Sequence, residues 1–167
     1  MTLAIQPLCN GDDLRALLTR CGLPVADVTL RTPPLDGAGT GLPNGSAAPR
    51  PQQFFGCCPT EGGGQTPSAC VAAVGLEWQG PVGLLRSLAV APEWRGQGLA
   101  QALLRHAETV AAAQGVGTLY LLTTTAEAFF RARGYRPADR ALAPAFIRAA
   151  PQFSGLCPAS AAFLCKP

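Results

Sequence analysis

The sequence predicts an α/β domain with a mixed sheet, and three stretches carry that prediction. Residues 84–90 are a mostly apolar run that is typical of a strand. A helix is expected next, ending near Gly115, because apolar residues recur at helical spacing: Leu99, Ala102, Leu103, His106, Ala107 and Val110. Residues 118–123 then predict another strand. Strand, long crossover helix and strand imply a parallel or splayed pair with a right-handed connection.

The chain before this centre begins with a predicted short strand at residues 2–6. Asp12 or Asp13 is expected to cap a helix that runs to about Cys21 and ends at Gly22. Its inner face is predicted to carry Leu14, Leu17 and Leu18. Residues 25–30 are expected to form a second short helical turn.

A long loop is predicted at about 31–51, where Pro, Gly, Thr, Ser and Asn dominate. It is either a tolerated surface insertion or a lid over a pocket. Strands are expected at 52–58 and 69–78, separated by a Gly-rich turn at 61–65. A tight connection at 79–81 then leads into the central strand, which gives an antiparallel meander.

The remainder of the chain predicts a short helix at Ala126–Arg133, closed by Gly134. Two last strands are expected at 135–139 and 159–164, joined by an irregular or partly helical segment. The whole chain, 1–167, is therefore expected to form one domain.

Composition and charge exclude several classes of function. A net charge of +3 and the lack of a basic cluster argue against nucleic-acid binding. The N-terminal residues do not have the pattern of a secretory signal, and no stretch of about twenty apolar residues predicts a membrane span. The expected location is the cytoplasm.

Seven cysteines are an odd number without C-x-x-C spacing, so neither a disulfide framework nor a metal site is expected. Cys57 and Cys58 are adjacent on a predicted strand, where neighbouring side chains point to opposite faces. We therefore expect reduced, structural cysteines.

The turn at residues 95–100 is suited to an anion. Gly96 and Gly98 let the backbone come close to a ligand, and the helix that follows directs free N–H groups and a positive dipole end outward. Arg95 adds a charge suited to phosphate. The turn lacks the lysine of a P-loop and the G-x-G-x-x-G pattern of dinucleotide folds.

The pattern Arg95-x-x-Gly98-x-Ala100, preceded by Val90-Ala91-Pro92, resembles the acetyl-CoA turn of the GNAT acetyltransferases. The segment Ala126-x-x-Phe129-Phe130-x-x-x-Gly134-Tyr135 resembles a second motif of that family. The order of predicted elements resembles the family along essentially the full chain. The resemblance implies a single-domain GNAT (acyl-CoA N-acyltransferase) fold, with a mixed central sheet, a splayed parallel pair and flanking helices, and acetyl-CoA as co-substrate.

Three further segments, 83–90, 119–125 and 156–161, resemble a branch of that family encoded with bacterial arsenic-resistance genes. These proteins are akin to the N-acetyltransferases of arsinothricin and phosphinothricin. The implied reaction is acetyl transfer to the α-amine of a small anionic amino acid.

The resemblance also implies residues that bind the cofactor. The backbone of Leu88, Ala89 and Val90 would contact the pantetheine arm. Phe130 would cover the thiol end, and Arg133 would lie near the adenine or the ribose phosphate. The pyrophosphate would be held by Arg95, Gly96, Gln97, Gly98, Leu99 and Ala100.

The family's usual acid and base are missing from their places. Phe130 stands where a tyrosine often protonates the thiolate, Thr123 where an asparagine is frequent, and Arg86 roughly where a glutamate serves as base. Glu77 is expected to be a solvated residue about 20 Å along the ladder from Val90.

Other polar residues remain as candidates for catalysis and substrate binding. Ser87 and Tyr120 are the candidates for proton transfer, although Tyr120 is also expected to pack in the core. Thr123 and Thr124 are the candidates for contact with the acceptor, and Ser160 could relay a proton through water.

Arg86 on an apolar strand requires a partner. One interpretation pairs it with Asp139, Glu127 or a C-terminal carboxylate. The other has it hold the anionic group of the acceptor. Arg86 and Ser87 point to opposite faces unless a bulge intervenes.

Other functions stay open at this stage. They are a non-catalytic acyl-CoA-binding module, a thiol-rich metalloid binder, and a protein N-terminal or lysine acetyltransferase. The expected partner is a small-molecule amine, with neither nucleic acid nor membrane, and a homodimer is one option for the assembly.

Overall fold

A computed structural model describes residues 4–8, 10–28, 51–59 and 69–167. The predicted loop at about 31–51 lies almost entirely outside the described residues, as does the Gly-rich turn at 61–65.

One seven-stranded sheet organises the fold, in the order β1-β2-β3-β4-β5-β7-β6. Its strands are β1 (Ile5–Pro7), β2 (Gln52–Cys57), β3 (Ala72–Gln79), β4 (Val82–Val90), β5 (Thr118–Thr123), β6 (Arg136–Pro137) and β7 (Ala162–Lys166). β4 and β5 pair in parallel, and the other neighbours pair antiparallel. The predicted meander and parallel pair are therefore confirmed.

Four α-helices are present among the described residues: α1 (Gly11–Arg20), α2 (Leu99–Ala113), α3 (Glu127–Arg131) and α4 (Ala145–Arg148). Short 3₁₀ turns occur at Pro92–Trp94 and Arg140–Leu142, and a π-helix at Gln152–Leu156. No helix in this part of the chain is long and apolar enough to cross a membrane.

Several predicted boundaries need correction. The cap of α1 is Asn10, whose side chain accepts from the Asp12 N–H, rather than Asp12 or Asp13. Residues 25–28 make a single hydrogen-bonded turn, Val28 N–H to Val25 O at 3.2 Å, where a short helical turn was predicted at 25–30. The last two residues of that prediction lie outside the described residues. The last two strands are also displaced from prediction. β6 has only two residues, and β7 begins three residues later than expected, at Ala162.

The two faces of the sheet are covered by different helices. α2 covers one face, where Leu103, Leu104 and Ala107 are buried against Val74 and Leu76. α1 covers part of the opposite face, where its buried leucines pack with Phe54 and Ala89. α4 covers the rest of that second face, around Leu84 and Phe163. We call this second side, covered by α1 and α4, the α1/α4 face.

Candidate active site

β4 and β5 separate after a short stretch of pairing. Only Val82, Gly83 and Leu84 pair with β5, the last of them with Tyr120. β4 continues to Val90 and β5 to Thr123, so the two strands diverge. The result is a gap with unpaired strand edges on both sides.

Backbone groups of β4 face this gap. Ala91 N–H donates to Val71 O at 2.8 Å on the β3 side. Because the bonds of an antiparallel ladder alternate between the two edges, the N–H and C=O groups of Val90 and Leu88 point toward β5. The carbonyl of Val90 accepts from Arg95 Nε at 3.1 Å. Of the three predicted backbone residues, Leu88 and Val90 therefore face the gap, whereas the backbone groups of Ala89 face β3.

The glycine turn lies beside the gap and begins α2. Gly96 and Gly98 have φ values of +78° and +79°, which L-residues with side chains adopt at a cost. A Cβ added at either glycine would meet no atom within 4 Å, so the space in front of the helix N-terminus is open. Exposed N–H groups there, with Arg95 nearby, suit a diphosphate.

A β-bulge lies in the middle of β4. Ala73 pairs with Ala89 but Gly75 pairs with Arg86, so β4 carries one extra residue between these pairs. Ser87 has a φ of +54° and is the only non-glycine residue with a positive φ among those described. The bulge lets both Arg86 and Ser87 line the same cleft.

Arg86 is buried and bound by two carboxylates. Its side chain is 4% exposed, and one terminal nitrogen lies 2.6 Å from Asp27 Oδ2. The other terminal nitrogen binds Glu77 Oε1. The predicted partners Asp139, Glu127 and the C-terminus are therefore wrong.

The prediction for Glu77 is also corrected, because this residue is 3% exposed and not a solvated strand end. Glu77 pairs with Leu84 and Gly75 pairs with Arg86, which puts all four residues on the α1/α4 face of the sheet. The expected separation of about 20 Å refers to Val90. Glu77 instead contacts Arg86, which lies diagonally opposite it on β4.

The cleft has a cavity volume of about 60 Å³ at the mouth of the β4–β5 gap. Its walls come from β4, from β5 and from the segments 23–27 and 152–157: Leu23, Pro24, Asp27, Leu84, Leu85, Arg86, Ser87, Leu122, Gln152 and Cys157. Gln152 Nε2 donates to Asp27 Oδ2 and so bridges the π-helix to the charged cluster. A volume of this size accommodates a few waters or a small polar group.

Cys157 brings a thiol to the cleft. It is half-buried, and this burial is the main cause that raises the pKa of its thiol. Arg140 and Arg86 lower that pKa by smaller amounts, and Asp27 raises it further. The thiol is therefore mostly protonated near neutral pH.

The other predicted site residues take varied positions. Tyr120 stacks on Phe163 with ring centroids 5.5 Å apart, and burial raises its pKa. Thr123 Oγ1 accepts from Ala126 N–H at 3.0 Å, where α3 begins. Thr124 is exposed at the end of β5.

Phe130 and Arg133 belong to the segment around α3. Phe130 is 5% exposed and packs edge-on against Phe129 and Tyr135. Arg133 lies over the Phe129 ring at 3.7 Å and donates to the Phe129 carbonyl at 2.7 Å. Both residues therefore have structural contacts in addition to any contact with a cofactor.

The adjacent cysteines point to opposite faces, as predicted. Cys57 packs in the cluster beneath α2, and Cys58 against the cluster beneath α1. No group of three His, Cys, Asp or Glu side chains within the described ranges could hold a metal ion.

Sequence reasoning missed Asp27, Gln152 and Cys157. Asp27 lies alone among apolar residues, between Leu23 and Val28, and such an isolated acid was the available signal. Gln152 and Cys157 lie on an irregular segment that no periodicity describes.

Part of the chain is similar to known proteins. Residues 60–137 match the family described as "Acetyltransferase (GNAT) domain". An amino-acid acetyltransferase of Pseudomonas fluorescens (strain Pf0-1) is 46% identical over 63 residues, which is 38% of this chain and 15% of that protein. One of Ectopseudomonas mendocina (strain ymp) is 43% identical over 63 residues, with the same coverage of 38% and 15%. The chain thus matches only a small part of these relatives' length.

Solved structures share the whole fold. N-acetylglutamate synthase from Neisseria gonorrhoeae, complexed with coenzyme A and L-arginine, has a TM-score of 0.63 at 19% identity, covering 98% of this chain and 32% of that one. A putative acyl-CoA N-acyltransferase from Klebsiella pneumoniae has a TM-score of 0.64 at 16% identity, covering 99% and 97%.

The matched residues 60–137 include the turn at 95–100 and the segment 126–135 on which the predicted resemblance depends. Single-domain architecture, the mixed seven-stranded sheet and the splayed parallel pair agree with the fold class that the sequence predicts. The chain has the GNAT fold, and its residues 60–137 match the acetyltransferase domain of that family.

Proposed function

We propose that this protein is an acetyl-CoA-dependent N-acetyltransferase that modifies the α-amine of a small amino acid. The observation that carries the proposal is the charged cleft at the mouth of the β4–β5 gap, next to an open, glycine-lined helix N-terminus. An acyl donor in the gap and an amine in the cleft would meet at the bulge of β4. Relatives named amino-acid acetyltransferase support the same acceptor class.

The cofactor residues follow from the geometry of the gap. The phosphates would bind the N–H groups of residues 95–100, and the pantetheine would pair with the free edge of β4 at Leu88–Val90. One of those N–H groups would polarise the thioester carbonyl. Phe130 and Arg133 would contact the thiol end and the nucleotide end, respectively.

The finer proposal for the acceptor is an anionic amino acid such as arsinothricin or phosphinothricin. Arg86 has both terminal nitrogens on carboxylates, and its Nε has no partner in the described part of the chain. We propose that Nε donates to the anionic group of the acceptor, and that Ser87, Thr123 and Thr124 complete the polar lining. Tyr120 stacks on Phe163, and burial raises its pKa. It is a candidate, alongside Ser87, to donate a proton to the thiolate.

A non-catalytic acyl-CoA-binding module is the alternative. It is favoured by Phe130, which is buried and has no hydroxyl to protonate a leaving thiolate. Catalysis without such an acid relies on positioning of the reactants and on water.

The test is CoA release from acetyl-CoA with phosphinothricin, arsinothricin, glutamate and a peptide with a free N-terminus. We expect turnover with at least one amino acid, and mass spectrometry should find the acetyl group on its α-nitrogen. Turnover on the peptide alone would overturn the acceptor class. Tight acetyl-CoA binding without any turnover would establish the binding module instead.

A further inference from the structure

Asp27 has one carboxylate oxygen engaged and one without a partner. Oδ2 accepts from Arg86 at 2.6 Å and from Gln152 Nε2. Oδ1 is buried and has no hydrogen-bond partner in the described ranges. The side chain is 10% exposed and lines the cleft. A buried carboxylate oxygen without a donor is costly, so this oxygen is available to a ligand.

A second buried acceptor oxygen lies beside Asp27, on Gln152, whose Nε2 donates to Asp27 Oδ2. Gln152, 8% exposed, also has its side-chain oxygen unpartnered within the described residues. The cleft therefore offers two buried acceptor oxygens, Asp27 Oδ1 and Gln152 Oε1, and an ammonium group has the N–H donors that both require.

Asp27 also lies where an acceptor amine is needed. It shares the cleft with Ser87 at the bulge and with Leu122 on β5, so it lies at the gap between the diverging strands. The described groups around it are Arg86 from β4, Glu77 from β3, and Gln152 and Cys157 from the segment after α4. Arg15 of α1 is held nearby by its bond to Val28 O at 2.9 Å.

We infer that Asp27 binds the ammonium group of the acceptor and accepts its proton, while Arg86 and Gln152 hold Asp27 in position. The inference rests on the proposed function. One N–H proton moves from the ammonium to Asp27 Oδ1, and the freed nitrogen lone pair attacks the thioester carbonyl carbon. The C–S bond then breaks with its electron pair on sulfur. The nitrogen gives its second proton to the thiolate through water, which leaves the neutral amide and the CoA thiol, and Asp27 releases the first proton to solvent.

The direct test is Asp27→Asn, which keeps the size of the side chain and removes its charge. We expect acetyl-CoA affinity to be unchanged and kcat/KM for the amine to fall by about 10²-fold or more at neutral pH, the usual effect of losing a general base. The deficit should shrink as the pH approaches the acceptor's own pKa, because solvent then supplies neutral amine. A structural role alone would not produce that pH dependence.

Asp12→Asn is the matched control, because the Asp12 side chain is 94% exposed on α1, away from the cleft. It should leave kcat/KM unchanged. If the wild-type protein turns over and the two variants have equal kcat/KM, the inference is overturned and the proposed function stands.

A measurement on the wild-type chain keeps the inference testable if the variant does not fold or the protein does not turn over. Cys157 lines the same cleft, so site-resolved alkylation by iodoacetamide reports occupancy. With CoA bound, glutamate should protect Cys157, and 2-hydroxyglutarate, in which a hydroxyl replaces the ammonium, should not. Equal protection by both, or protection by neither, would overturn the role of Asp27. If no amine is acetylated, the proposed function fails separately.

Discussion

Gly75 shows how one residue permits the charged cluster. It faces Arg86 across the β3–β4 ladder. A Cβ at this position would lie 2.6 Å from Phe54 Cε1 and 2.9 Å from Arg86 Cγ. Glycine therefore leaves the room in which Arg86 extends under the Phe54 ring, 5.6 Å from its centroid, to reach Asp27 and Glu77.

Gly75→Ala should consequently destabilise the fold by about 1–3 kcal/mol, the usual cost of overpacking. It should also weaken acceptor binding, because Arg86 must shift. Urea unfolding and acceptor KM measure the two effects.

Gly117→Ala is the control for this change. Its Cβ would meet only Pro81 atoms at 3.8 Å and 3.9 Å, which is ordinary contact. The substitution should leave the free energy of unfolding unchanged or raise it by about a few tenths of a kcal/mol, because alanine lowers the conformational entropy of the unfolded chain. Similar stability of both variants would show that Gly75 does not position Arg86.

Residue-scale prediction from sequence succeeded where local geometry decides. Gly96 and Gly98 were predicted to bring the backbone close to a ligand, and both have positive φ. The bulge beside Arg86 was named only as the exception that would put Arg86 and Ser87 on one face. The partners of Arg86 do not follow from local rules, because Asp27 is 59 positions away in the chain (86 − 27) and only the folded packing of the segment after α1 onto β4 brings it close.

Helix α2 begins at the glycine turn that we propose binds the cofactor, and its two ends allow a controlled test. Gly98 precedes the helix with φ +79°, and Gly115 follows it with φ +78°. Neither would have a Cβ contact within 4 Å. An alanine at either position therefore costs about 1 kcal/mol of backbone strain, and this cost should be the same at both ends.

Only Gly98→Ala should weaken acetyl-CoA binding, by about tenfold, which corresponds to 1.4 kcal/mol. The reason is that its methyl group enters the space where the diphosphate approaches the N–H groups. Isothermal titration of both variants with acetyl-CoA gives the comparison. An equal loss of affinity in Gly115→Ala would mean that strain, not contact, is responsible.

Elements with strong periodicity were predictable, and weak edge elements were not. α2, β4 and β5 were found at nearly their observed bounds because each has a long apolar pattern. β6 contains Pro137 and pairs over two residues, so it carries almost no pattern. The π-helix at Gln152–Leu156 has no sequence signature, although it supplies Gln152 to the cleft.

At the scale of the whole molecule, the two faces of the sheet differ in what covers them. α2 and its apolar contacts fill one face, and the charged cluster with its cleft lies on the α1/α4 face. The gap between the diverging strands β4 and β5 opens to both faces of the sheet. The order of strand, crossover helix and strand predicted a parallel or splayed pair, and the family resemblance implied the splay. The packing of residues 23–28 and 152–157 over β4 depends on tertiary contacts alone.

This arrangement assigns separate places to the two substrates. On the proposed function, the acyl donor would enter from the α2 end of the gap, beside Gly98, and the amine would enter the cleft between Asp27 and Leu122. Their reacting groups are expected to meet at Ser87, where the bulge turns β4. The donor should therefore bind without the acceptor, and the acceptor should gain affinity once the gap is filled.

The most direct test of this account is a crystal structure of the protein with CoA and glutamate or phosphinothricin. The account predicts the pyrophosphate on the N–H groups of residues 95–100, the pantetheine between β4 and β5, and the amino group of the acceptor within hydrogen-bonding distance of Asp27 Oδ1. CoA bound away from the β4–β5 gap, or an amino group directed away from Asp27, would contradict it.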